Sequence, residues 1–179
     1  MNLKNLENLD VSFNNYDISI ERHVRCIWAL YMYRHHVLRE NLSDSFIINI
    51  NKINELLGVA VETINLNDYK NNYIESEVLN KCIEENEYPK FVWFMGLEAL
   101  NDSSFAGWLR NRLTIRLINN LRVIFIAESN DDFKDIFCDI RAPLYQSTML
   151  LQTNIANQCT NKLNYIVKFS GVKQMNANP

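Results

Sequence analysis

The sequence predicts an α/β domain built on a mostly parallel sheet of about five strands, with helices on both faces and a long amphipathic helix in front. Residues 90–95 (KFVWFM) and 121–127 (LRVIFIA) are continuous apolar runs of strand length, the pattern of strands buried on both faces. Helix-length stretches separate the strand-like segments, which favours parallel pairing through crossover connections. With 179 residues, 47% of them hydrophobic, the chain can bury one sizeable core.

The elements follow in order. Residues 1–15 are polar and are expected to form a flexible lead-in to a single domain spanning 16–170, with a mobile tail at 171–179. Residues 19–39 read as the long helix, capped by Asp17 or Ser19. At helical spacing Ile20, Val24, Ile27, Trp28, Tyr31 and Leu38 share one broad face. Residues 46–50 suit a short buried strand, followed by a brief helix through Leu57 that Gly58 can end. Residues 59–66 are ambiguous and can be a second strand; residues 75–86 read as a helix with an acidic outer face. After the 90–95 strand, residues 103–118 are helical with Ser103 as N-cap, and 121–127 is the next strand. Residues 131–140 form a helix whose acidic first turn suits its dipole and which Pro143 closes off. Residues 148–152 are a further strand candidate, 155–163 a last helix and 165–169 a final strand.

Composition removes several function classes. No stretch reaches the roughly 20 apolar residues of a membrane span, and the N-terminus is polar where a signal peptide would be apolar; a cytoplasmic protein without membrane insertion is expected. Cys26, Cys82, Cys138 and Cys159 are far apart and show no zinc-ligand spacing. Glycine is scarce. Only Gly58, Gly96, Gly107 and Gly171 occur, no two closer than 11 positions, whereas phosphate-cradling loops need several glycines together. No cofactor is expected. Asparagine, by contrast, occurs 26 times, and no function is attached to it.

Residues 89–152 resemble the central part of a P-loop ATPase of the AAA+ or related signal-transduction type. FVWFMGLE, ending at Glu98, is similar to the apolar strand whose terminal acids hold magnesium, and RVIFIAESN, ending at Ser129 and Asn130, is similar to the strand that carries a polar sensor. The GxxxxGK[ST] loop is missing, and Met95, Gly96 and Leu97 precede Glu98 where the family has adjacent acids. The resemblance therefore implies a degenerate member that kept a P-loop or RecA-like scaffold and lost hydrolysis. A flavodoxin-like sheet is the alternative architecture.

Two basic segments hold eight of the nine arginines. The first, within residues 19–39, also carries all three histidines, so an apolar face rimmed by Arg and His can dock a protein partner or a second copy. The interface candidates are His23, Ile27, Trp28, Tyr31, Arg34, His35 and Leu38, set against side chains that simply snorkel past a buried stripe. The second segment holds Arg110, Arg112 and Arg116, with Arg122 beyond; Arg112 and Arg116, one turn apart, can form a stripe beside Trp108 that could bind phosphates. A net charge of −3 and a pI near 5.6 disfavour nucleic acid, because generic attraction to a polyanion is lacking. Glu98 and Asn130, each following a strand, are the weak catalytic candidates, since ligands of open α/β sheets gather at the carboxyl ends of strands. The expectation is a non-catalytic interaction or adaptor domain; a nucleic-acid-associated regulator and an enzyme centred on Glu98 are the alternatives.

Overall fold

A computed structural model describes residues 20–84, 87–115 and 118–153. The expected lead-in, the elements at 155–163 and 165–169, the tail and Arg116 lie outside them. The described chain runs α1 (Ile20–Ala29), β1 (Arg34–Leu38), α2 (Asp44–Leu56), β2 (Ala60–Asn65), α3 (Glu77–Ile83), β3 (Lys90–Met95), α4 (Ser103–Ile115), β4 (Leu121–Ala127), α5 (Asn130–Phe133) and β5 (Met149–Leu150).

All five strands are parallel, in the order β2-β3-β4-β1-β5. This differs from the 2-1-3-4-5 order of a flavodoxin-like sheet. From β1 the chain crosses two strand positions to reach the β2 edge, then returns stepwise through β3 and β4 and hops over β1 to β5. Right-handed crossovers require those opposite directions to use opposite faces. Accordingly Ile27 and Trp28 of α1 and Phe46 and Ile50 of α2 pack on Val37, Trp93 and Ile124. Leu79 of α3, Phe105 and Leu109 of α4, and Ile136 beyond α5 pack on Leu38, Phe94 and Phe125. Two asparagines of α2 fasten the first layer: Asn54 accepts the Trp28 indole N–H at 2.8 Å and Asn51 accepts that of Trp93 at 2.8 Å.

The helix expected over 19–39 is two elements. It stops at Ala29 because Tyr31 turns left-handed, with φ 53°. The Met32 N–H then returns to the Ile27 carbonyl at 3.0 Å and the Tyr31 N–H to that of Trp28 at 3.4 Å, the bonding of a Schellman ending with tyrosine where glycine usually stands. Residues 34–38 emerge as β1, between β4 and β5. The strand expected at 46–50 is also overturned: those residues lie in α2, whose N-cap is Ser43 and whose end is set by Gly58 at φ +75°. β2 falls within the ambiguous 59–66 stretch, while β3 and β4 match the sequence expectation end for end.

Three boundaries move. At the head of α4 the cap is the Asp102 carboxylate, which accepts the Ser104 and Phe105 N–H groups at 2.8 and 3.3 Å, in place of Ser103. The helix expected over 131–140 is a single α turn that widens into a π turn, Lys134–Cys138. The strand expected over 148–152 shortens to Met149–Leu150. Among the described residues no helix is long and apolar enough to cross a membrane.

Candidate functional site

The β1–α2 connection lies at the carboxyl edge of the sheet. Residues 39–43 contain no glycine and form a tight 3-10 turn, Arg39–Asn41. Leu42 drops into the core, and the Ser43 hydroxyl accepts the Phe46 N–H at 3.2 Å, satisfying a helix donor that an anion would otherwise take. The Arg39 guanidinium bonds the Leu42 carbonyl and the Asp44 carboxylate, both at 2.8 Å. The arginine and serine of this connection are thus bonded within it and to the head of α2.

Glu98 and Asn130 stand on that same edge, beyond neighbouring strands β3 and β4. Gly96 adopts φ +66°, and a Cβ there would lie 2.0 Å from Asn65 Oδ1; glycine is what lets the chain turn here against the end of β2. The exposed Glu98 carboxylate accepts a hydrogen bond from the Asn67 amide. Asn130 opens α5, behind Ser129, whose hydroxyl accepts the Asp132 N–H at 3.1 Å and donates to the Asp132 carboxylate at 2.6 Å. Among the described residues no group of three or more His, Cys, Asp or Glu side chains is placed to hold a metal.

Most of the expected interface set is spent inside the chain. Ile27, Trp28 and Leu38 are core residues, and His35 is 1% exposed on β1. Both His35 ring nitrogens and His23 Nε2 are buried without a hydrogen-bond partner. Burial, then the nearby His23, His36 and Arg122, lower the His35 pKa to about 4; burial alone lowers His23, and lowers His36 to about 4. These imidazoles are neutral at neutral pH.

Arg122, expected beside the second basic group, is 1% exposed. Its guanidinium lies 4.4 Å from the Trp28 ring centroid and 4.6 Å from that of Tyr33. It donates to the carbonyls of Ile27 and Trp28, each at 3.2 Å, and to those of Asn119 and Leu121. A cation thus seats the C-terminal end of α1, where the helix dipole favours it. Arg110 instead lines an open groove with Ser103, Gly107, Asp135 and Arg141, while Arg112 leans on Trp108 with its guanidinium 5.7 Å from the ring centroid. Arg116, which the sequence expectation joins to Arg112 in a stripe, lies outside the described residues.

Two members of the interface set, Tyr31 and Arg34, do meet at an open cavity. It lies at the amino end of β1, has a volume of about 240 Å³ and is completed by Tyr33, Gln146, Ser147, Thr148 and Met149. Arg34 is half-buried, held by bonds to the carbonyls of Ser147 at 2.8 Å and Leu113 at 2.7 Å. Burial lowers its pKa, but a guanidinium remains charged. Thr148 Oγ1 lies 2.8 Å from His36 Nδ1, and His36 is stacked on Phe137 with centroids 4.5 Å apart. Among the described residues Arg34 is the sole charged one in the lining. Tyr31 and Gln146, with φ 53° and 54°, are the non-glycine positions of positive φ among the described residues, and both line this cavity. Nothing in the sequence marked residues 146–149, because the contact joins positions 113 apart along the chain. No family model matches this chain, and a search of curated proteins also finds no match.

Proposed function

We propose that this chain is a non-catalytic interaction or adaptor domain on a degenerate P-loop ATPase-like scaffold, acting through protein partners or self-association. The β1–α2 connection carries the reading. A triphosphate needs a run of free backbone N–H donors and a cation aimed at it, whereas this connection has Leu42 in the core, Ser43 on its own helix and Arg39 committed to Asp44. The sheet supports the scaffold in one respect: β4, ending before Ser129 and Asn130, lies directly beside the β3 strand that leads to Glu98, so the two segments that carry the resemblance are neighbours.

The contact surface shifts away from the apolar face of α1, which the core absorbs, toward exposed Leu30, Tyr31, Met149 and Leu150. Purified protein should neither retain nor turn over ATP or GTP. Steady turnover that is lost in Glu98→Gln would refute the reading.

A further inference from the structure

We propose that the cavity of Tyr31, Arg34 and Gln146 is a docking pocket for an acidic segment of a partner protein, with an Asp or Glu carboxylate on Arg34 and an apolar neighbour against Tyr31 and Met149. The inference rests on the adaptor reading and names that partner's chemistry. Charge complementarity selects the anion: among the described residues the lining holds one guanidinium, two phenols, an amide and two hydroxyls, and no carboxylate. Two carbonyls already fix the guanidinium in place, so a carboxylate meets a pre-organised donor. At about 240 Å³ the cavity is smaller than the roughly 300–1,000 Å³ typical for drug-sized ligands. It has room for a side chain.

The rim supplies apolar contact. Leu30, Tyr31, Met149 and Leu150 are 51%, 40%, 44% and 57% exposed, and Met149 and Leu150 lie on β5, an edge strand among the described residues. Backbone conformation points to the same place. Tyr31 and Gln146 occupy a left-handed region that glycine adopts without cost, and strain of this sort gathers at binding sites. A bulky tyrosine in that conformation at α1's end puts an aromatic ring on the cavity rim that glycine would not supply.

The test is selection of a displayed random-peptide library on the full chain, followed by fluorescence anisotropy of a selected peptide against wild type, Tyr31→Gly and Met149→Glu. Selected peptides should pair an acidic residue with a bulky apolar one. Each variant should weaken binding about tenfold or more. Tyr31→Gly should melt at or above the wild-type temperature, since glycine accepts φ 53°; loss of binding then cannot be ascribed to unfolding. Selection of no peptide, or of peptides without acids, or affinity unchanged in both variants would overturn the inference. So would displacement of the peptide by millimolar inorganic phosphate, which would make this a small-anion site. None of those results touches the adaptor reading, which falls only on nucleotide turnover.

Discussion

Protonating His35 should loosen the seat of α1. The ring is buried on β1 with neither nitrogen hydrogen-bonded, and the groups around it are His23 from α1, Arg122 from β4 and the adjacent His36, with no carboxylate among the causes acting on it. Its pKa is lowered from 6.5 to about 4 on folding. The folded state therefore refuses a proton that the unfolded chain accepts. Stability is unaffected well above pH 6.5, falls as the pH drops below that value, and levels off near pH 4. The slope is about 1.4 kcal/mol per pH unit and the whole loss about 3 kcal/mol for this residue. Urea unfolding of wild type and His35→Leu at about pH 7 and about pH 5 isolates it, because titrating carboxylates contribute equally to both proteins. The variant should match or exceed wild type at neutral pH, having lost two unpartnered nitrogens, and its advantage should grow by about 2 kcal/mol on acidification. Stability curves that run parallel across this range would refute the reasoning.

Arg122→Ala should cost about 3 kcal/mol or more, because it removes the buried group that bonds four carbonyls and stacks on Trp28 and Tyr33. Thermal melting measures the loss, and red-shifted tryptophan emission would report exposure of Trp28. Gly96→Ala should destabilise by about 2 kcal/mol through a strained φ and a clash, and Asn65→Ala, which deletes the clashing amide oxygen, should recover part of that in a double-mutant cycle.

How legible each element was depended on which residue ended it. α1 and α2 close with the same bonding: Met32 N–H returns to the Ile27 carbonyl, and Val59 N–H returns to that of Asn54. The second ending was readable because its left-handed residue is Gly58; the first was hidden because it is Tyr31. Once the break at Tyr31 was missed, RHHVL continued the helical spacing, and two adjacent histidines gave β1 no strand signature. β3 and β4 match the sequence reading because residues 91–95 and 123–127 are apolar without interruption, as both-sided burial demands. FIINI misled for the converse reason. Its β-branched residues suit a strand, but Ser43 capping Phe46 and the inward-facing Phe46, Ile50 and Asn54 fix it as helix. The candidate cavity was half legible: Tyr31 and Arg34 stood out through charge and aromatic content, while residues 146–149 became partners only through the pairing of β5 with β1.

One strand supplies both ends of the sheet with a guanidinium, and the two are used in opposite ways. At the carboxyl end, just after β1, Arg39 binds its own loop at Leu42 and Asp44, and Ser43 and Leu42 fill what remains. At the amino end, Arg34 binds two carbonyls that hold it beside open space. Ligands of open α/β sheets normally gather at the carboxyl ends of strands, so the family resemblance directs attention to the end where Arg39 and Ser43 are bonded within the chain. The loop between β1 and α2 contains no glycine, so it lacks the residues that let a phosphate-cradling backbone approach its ligand closely. Tyrosine and glutamine, meanwhile, hold left-handed turns at the open end, where glycine would fold as well and contact nothing. Arginine fixed beside a cavity, flanked by side chains in costly conformations, is what the proposed docking pocket at the amino end of β1 rests on, at the opposite end of the strand from Arg39.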